Sequence, residues 1–204
     1  MYINSFQTRT RVKRRNEKEL ILCLFTVRKV TQISKNRVPP GWIAMPETAK
    51  SPSESTTTVT HIMMPMDANV AGNVFGGSIL RMIDEVASIV AYRHARKNVV
   101  TASIDRMDFF SPVFIGDLLR LNASINYVHN TSMEIGVRVE AENPVSGQVR
   151  HTGTCFLTHV ALDKSGKPTP VPPLRLETED ERRRWTEAEV RRSIRLELIG
   201  KDEN

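Results

Sequence analysis

The sequence predicts an α+β domain in which one long amphipathic helix lies across one face of an antiparallel sheet. Three observations carry that prediction. Apolar residues recur at helical spacing over a single central stretch, Ile79, Met82, Ile83, Val86, Ile89 and Val90, giving a helix from Ser78 to about Arg96. Four long strand candidates follow it, and short turns join them.

Each element has its own warrant. Thr58 to Pro65 reads as a short first strand, and Met66 to Gly77 as a loop rich in Gly and Asn that ends at the Gly76-Gly77 pair. The strand candidates are Asn98 to Phe109, Asp117 to Val128, Ser132 to Glu142 and Gln148 to Leu162. In the third, Met133, Ile135, Val137 and Val139 alternate with Glu134, Gly136, Arg138 and Glu140, the pattern of a strand with one buried and one wet face. His129-Asn130-Thr131 and Asn143-Pro144 with Gly147 supply the turns between strands, and Lys164-Ser165-Gly166-Lys167 closes the last one. Pro168 to Pro173 is an extended exit. Thr178 with Glu181 forms a capping box that opens a charged helix to about Leu198, too poor in apolar residues to pass through a core. The chain therefore divides into a basic leader and polar linker (1–57), a central domain (58–175) and a C-terminal charged helix and tail (176–204).

Composition excludes several classes of function. The 204 residues are 40% apolar and 25% charged, near globular averages, and the longest apolar run, Leu20 to Val27, is too short to span a bilayer. Cys23 and Cys155 cannot build a disulfide framework and lack the spacing of a zinc site, which points to a reducing compartment. The net charge of +6 suggests nucleic acid or an acidic surface, but its distribution says otherwise. Ten basic and two acidic side chains lie in residues 1–44, which leaves the remainder of the chain at −2. The leader reads as a mitochondrial presequence, as a nucleic-acid arm, or as sequence upstream of a true start at Met45, where a Ser/Thr/Pro-rich run begins. We take the last reading ahead of the presequence, and both ahead of the arm.

The loop-to-helix junction, Asn69 to Gly77, carries the chemistry. Glycines before a helix let a bound group approach the backbone, and the free N–H groups of the first turn can hold a phosphate or polarise a carbonyl oxygen. No Walker ending or dinucleotide fingerprint is present, so phosphate cradling is the weaker option. Asp84 lies two turns beyond Gly77 among Leu80, Ala87, Ser88 and Ala91. A carboxylate in such company is paired, protonated or functional, unless it only edges the solvent face with Arg81 and Glu85. The five histidines are scattered without an HExxH pair, Cys155 reads as core, and Ser78 and Ser111 lie in no nucleophile elbow.

From Thr60 to about Arg192 the sequence resembles a single hotdog-fold domain of the cytosolic acyl-CoA thioester hydrolases. The matching stretches are Asp67 to Gly77, Met82 to Ala87, Asn98 to Asp105, Phe110-Ser111-Pro112 with Ile115-Gly116-Asp117, Thr131 to Glu134, and Gly166-Lys167-Pro168 through Val171-Pro172-Pro173 to Glu181. The resemblance implies a curved sheet wrapped around the helix, two subunits joined edge to edge, and an active site at their interface. It implies that Gly77, with Gly76, supplies the N–H that polarises the thioester carbonyl, and that Asp84 of the partner subunit is general base or nucleophile. Asn73 matches an asparagine that serves in one half of the two-domain members. Ser78, Arg106, Thr131 and Ser132 are the substrate-binding positions so implied.

The implied reaction is hydrolysis of acyl-CoA to fatty acid and coenzyme A, with water, no metal and no organic cofactor. A homo-oligomer follows, a dimer at least, with a trimer of dimers compatible, together with a cytoplasmic location, or a mitochondrial one if residues 1–44 are a presequence. Nucleic-acid binding and membrane insertion are not expected. Two other readings fit the same fold: a dehydratase of hydroxyacyl thioesters, which wants a histidine at the sheet and an acid on the helix, and a non-catalytic acyl-CoA-binding regulator.

Overall fold

The structure, a computed structural model, describes residues 48–105 and 107–202. The basic leader, Cys23, Met45 and Arg106 lie outside the described residues. Among the described residues six strands and two α-helices follow in order: β1 (Thr57–Ile62), α1 (Gly76–Ala95), β2 (Asn98–Ile104), β3 (Asp108–Phe109), β4 (Leu118–Val128), β5 (Ser132–Glu142), β6 (Val149–Leu162) and α2 (Glu179–Asp202). All strand pairs are antiparallel, in the order β1-β4-β5-β6-β2, with β3 also paired to β6.

The stretch expected as one strand from Asn98 to Phe109 is two. β2 pairs with the C-terminal half of β6 and β3 with Gly153 and Thr154, so together they make one interrupted edge of the sheet. A bulge between Thr101 and Ser103 bends this edge, since the extra residue, Ala102, has no partner.

α1 buries Ile79, Met82, Ile83, Val86 and Val90 against the inner residues of β4, β5 and β6, among them Leu121, Ile125, Met133, Ile135 and Leu157. The sheet curls around it: burying a helix on all but one stripe removes apolar area that a flat sheet would leave wet. α1 starts at Gly76, two residues earlier than its apolar periodicity predicts, because glycines add nothing to that periodicity. It ends at Arg96, a non-glycine residue in the left-handed region at φ 52°. The Lys50 ammonium donates to the His94 carbonyl at 2.7 Å, placing a cation on the negative end of the helix. Residues 48–56, in the stretch read as polar linker, lie against the domain: the Lys50 N–H donates to the Pro173 carbonyl and the Arg175 N–H to the Lys50 carbonyl.

The face of β5 expected to be wet is partly covered. α2 crosses the outer side of the sheet, with the Trp185 ring tilted against Tyr127 at 5.1 Å and the Arg191 guanidinium over the Phe156 ring at 3.7 Å. Glu134, only 3% exposed, accepts from Arg191 at 2.7 Å and from Asn126 at 3.3 Å. The Thr178–Glu181 capping box opens α2, with the Glu181 carboxylate accepting the Thr178 N–H at 2.9 Å and Thr178 Oγ1 accepting the Glu181 N–H at 3.2 Å. Arg191→Ala would strand the Glu134 carboxylate, so we expect a loss of about 3 kcal/mol in urea unfolding. A change within about 0.5 kcal/mol would show that α2 does not hold the outer face.

Candidate active site

The expected site residues that the structure describes fall into four places: the start of α1, the loop before it, Asp84 within α1, and the hairpin before β5. Gly76, Gly77 and Ser78 form the first turn of α1; the Ser78 N–H donates to the Phe75 carbonyl at 3.0 Å, while the N–H groups of the two glycines have no intrahelical acceptor. Phe75 caps the turn without a side-chain hydrogen bond. A Cβ built on Gly77 would run into the exposed Phe75 ring, which would have to turn aside, while one on Gly76 would make only ordinary contact with Phe109 at 3.6 Å. The Phe75 and Phe109 rings thus lie beside the two glycines at the positive end of the helix.

Asn69 shapes the loop before that turn. Its Oδ1 accepts the N–H groups of Ala71 at 2.9 Å and Asn73 at 3.2 Å, and its own N–H donates to the Asn73 carbonyl at 2.7 Å. With Oδ1 spent on the loop, the amide N–H donors of the side chain are not consumed by it. Asn73 contributes backbone, bridging to Phe114 as well as to Asn69.

Asp84 faces the sheet rather than the solvent. Its helix neighbours Arg81 and Glu85 pair with each other at 2.6 Å on the exposed side, whereas Asp84 Oδ1 accepts the Thr101 hydroxyl at 2.7 Å. Thr101 is paired with His159 across β2 and β6, so both side chains point to the α1 side of the sheet. His159 Nε2 lies 3.2 Å from Thr101 Oγ1 and 3.1 Å from Ser88 Oγ, one turn beyond Asp84 on α1. Burial drives the His159 pKa down from 6.5 to about 4, with the nearby Asp84 charge pulling the other way. The imidazole is therefore neutral near pH 7. Burial also pushes the Cys155 thiol up to about 11, which leaves it inert as a nucleophile.

Sequence reading found Asp84 and the helix start but missed Thr101 and His159, which are ordinary strand residues until β2 and β6 pair. The hairpin residues Thr131 and Ser132 belong to the turn at the start of β5. Ser132 pairs with Val160, one row from the His159 row, and so faces away from α1. Arg106 lies outside the described residues. Among the described residues no cluster of His, Cys, Asp and Glu could hold a metal ion, and no helix is long and apolar enough to cross a membrane.

Residues 71–148 match the family model of the thioesterase superfamily. The chain is 42% identical over 128 residues to YkhA of Bacillus subtilis, named as an uncharacterized acyl-CoA thioester hydrolase, a match that covers 63% of this chain and 74% of that one. This chain belongs to the acyl-CoA thioester hydrolase family. Solved structures agree with the hotdog fold. An apo-hexameric acyl-CoA thioesterase superposes with a TM-score of 0.72 at 41% identity, over 74% of this chain and 97% of that one. The acyl-CoA hydrolase of Staphylococcus aureus, solved with butyryl coenzyme A and coenzyme A, superposes with a TM-score of 0.69 at 35% identity, over 76% of this chain and 97% of that one. Variants of that enzyme have also been solved, with alanine at an asparagine, at an aspartate fifteen residues later, and at a threonine a further seventeen on.

The titration of His159 has a measurable consequence. Its folded pKa is below its unfolded value, so between about pH 4 and 6.5 the unfolded chain binds a proton that the folded chain refuses, and stability falls as pH falls through that window. Between pH 7.5 and 4.5 the wild type should lose about 2 kcal/mol more unfolding free energy than His159→Phe in urea titrations. Equal losses in the two proteins would show that the buried imidazole is protonated as easily folded as unfolded.

Proposed function

We propose that this protein hydrolyses acyl-CoA thioesters to the free acid and coenzyme A, with Asp84 as general base or nucleophile and the Gly77 N–H polarising the thioester carbonyl. The observation that carries the reading is the hydrogen bond from Thr101 to Asp84. Asn69, Asp84 and Thr101 repeat the fifteen- and seventeen-residue spacing of the three residues substituted in the Staphylococcus aureus acyl-CoA hydrolase, and here the last two are in direct contact. On that spacing Asn69 takes the role that the sequence suggested for Asn73, whose backbone N–H the Asn69 side chain accepts.

The chemistry is balanced by few groups. Asp84 takes a proton from water as the oxygen adds to the carbonyl carbon, and the developing oxyanion is met by the Gly77 N–H at the positive end of α1. Collapse of the tetrahedral intermediate breaks the carbon–sulfur bond. Coenzyme A leaves as a thiolate, a good leaving group that needs little help from a general acid, and then takes a proton. In the nucleophilic variant Asp84 itself adds to the carbonyl carbon, and water cleaves the resulting mixed anhydride.

A site that uses both Gly77 and Asp84 takes them from two copies. Gly77 and Asp84 are seven residues apart on one helix, about 10 Å at 1.5 Å per residue, whereas a nucleophile must come within about 3 Å of the carbon whose oxygen the N–H holds. One chain's helix start and another chain's Asp84 can close that gap if the sheets join along the β2/β3 edge, where Ile104 and Phe109 are exposed. The hexameric state of a related thioesterase supports an oligomer. We assign the coenzyme A nucleotide to Arg106 and to the hairpin residues Thr131 and Ser132, and the polar rim of the helix start to Ser78.

A dehydratase would need its sheet histidine against the substrate. His159 is the histidine beside the helix acid, yet it is 0% exposed and sits beneath Thr101 and Ser88, which favours hydrolysis. Asp84→Asn should lower kcat for acyl-CoA at least a hundredfold in a free-thiol release assay, with the oligomer unchanged by light scattering. Turnover within about threefold of the parent would overturn the assignment.

A further inference from the structure

We propose that His159 is a positioning residue for Asp84, acting through Thr101 as a fixed relay of hydrogen bonds: His159 Nε2–H to Thr101 Oγ1, and Thr101 O–H to the Asp84 carboxylate. The inference rests on Asp84 being the reactive carboxylate of the thioesterase reading and adds what holds it.

The assignment follows from counting protons. Thr101 has one hydroxyl proton, and the 2.7 Å contact to Asp84 Oδ1 uses it, because a carboxylate can only accept. The contact of Thr101 Oγ1 with His159 Nε2 at 3.2 Å can then be made only if the imidazole donates. The other ring nitrogen agrees. His159 Nδ1 is buried without a hydrogen-bond partner among the described residues, so a proton there would be an orphaned buried donor, while an orphaned lone pair costs less. With the proton on Nε2, the same N–H is shared between Thr101 Oγ1 and Ser88 Oγ at 3.1 Å.

The consequence is directional. A free threonine hydroxyl can turn between acceptors, but one whose oxygen already accepts from a rigid, buried imidazole has its hydrogen aimed at Asp84. The imidazole stays neutral at working pH, since burial lowers its pKa to about 4, so it holds this direction without itself trading protons with substrate. The ring lies on β6 and the hydroxyl on β2, and both strands are fixed by the ladder, so the aim is set by the sheet and not by the helix that carries the acid.

Two measurements test this. In the wild type, imidazole ¹⁵N NMR should show Nε2 protonated and Nδ1 bare at pH 7.5; the opposite tautomer would overturn the relay whatever the enzyme does. In kinetics, His159→Phe should lower kcat threefold to tenfold with KM for acyl-CoA within twofold, and His159→Gln, whose amide can place an N–H near the Nε2 position, should recover most of it. Thr101→Val should cost as much as Thr101→Val with His159→Phe, because the relay passes through the hydroxyl. An unchanged kcat in a folded His159→Phe protein, or additive losses in the double variant, would reject the proposal. Should the wild type release no thiol from acyl-CoA, the hydrolase reading fails while the tautomer still decides the relay.

Discussion

An α-helix rises 1.5 Å per residue, and that figure governs everything else in this molecule. The same helix offers an electropositive first turn at Gly76 and Gly77 and a carboxylate at Asp84, and its stiffness keeps them about 10 Å apart. No side-chain motion within one chain brings them to a single carbonyl group. On the mechanism proposed above the two halves of the site lie apart on one helix, and an edge-to-edge pairing of two sheets would bring unlike halves together twice, since a two-fold axis creates two equivalent sites.

The sheet contributes more than a cover for α1. Much of its inner face is apolar, and the Thr101–His159 row is polar and meets Asp84 and Ser88 on the helix. A buried polar group costs stability unless it is bonded, and here the contacts fall between elements far apart in sequence. The bulge at Ala102 follows Thr101 immediately, so the strand carries its hydroxyl to the helix and then bends away. On the outer face, Glu134 is buried in the same manner against Arg191 of α2. α1 meets the sheet through the Asp84–Thr101 contact, and α2 meets it through the Arg191–Glu134 ion pair.

Much of this was legible in the sequence, and the boundary of legibility has physical causes. Helical periodicity located α1, strict alternation located β5, and the Thr178–Glu181 box located the start of α2, because these signals are local. The early start of α1 was hidden because Gly76 and Gly77 carry no side chains to show a period. The division of β2 from β3 was hidden because Asn98 to Phe109 is continuously strand-like, and only pairing with β6 shows the break. Asp84 was visible as a carboxylate among small residues. Thr101 and His159 were not, since a threonine and a histidine in strands are ordinary until the register sets them side by side. Asn69 and Asn73 lie four residues apart in one loop, and only the hydrogen bonds show that the first organises the second.

The most direct test of a site shared between copies is subunit mixing. Asp84→Asn and Asn69→Ala chains, each inactive alone, would be unfolded together in equal amounts, refolded, and assayed for thiol release from acyl-CoA. If each site takes its helix start from one copy and its carboxylate from the other, random pairing restores about a quarter of the parental turnover. A mixture no more active than its two components would contradict the account and place the whole site within one chain.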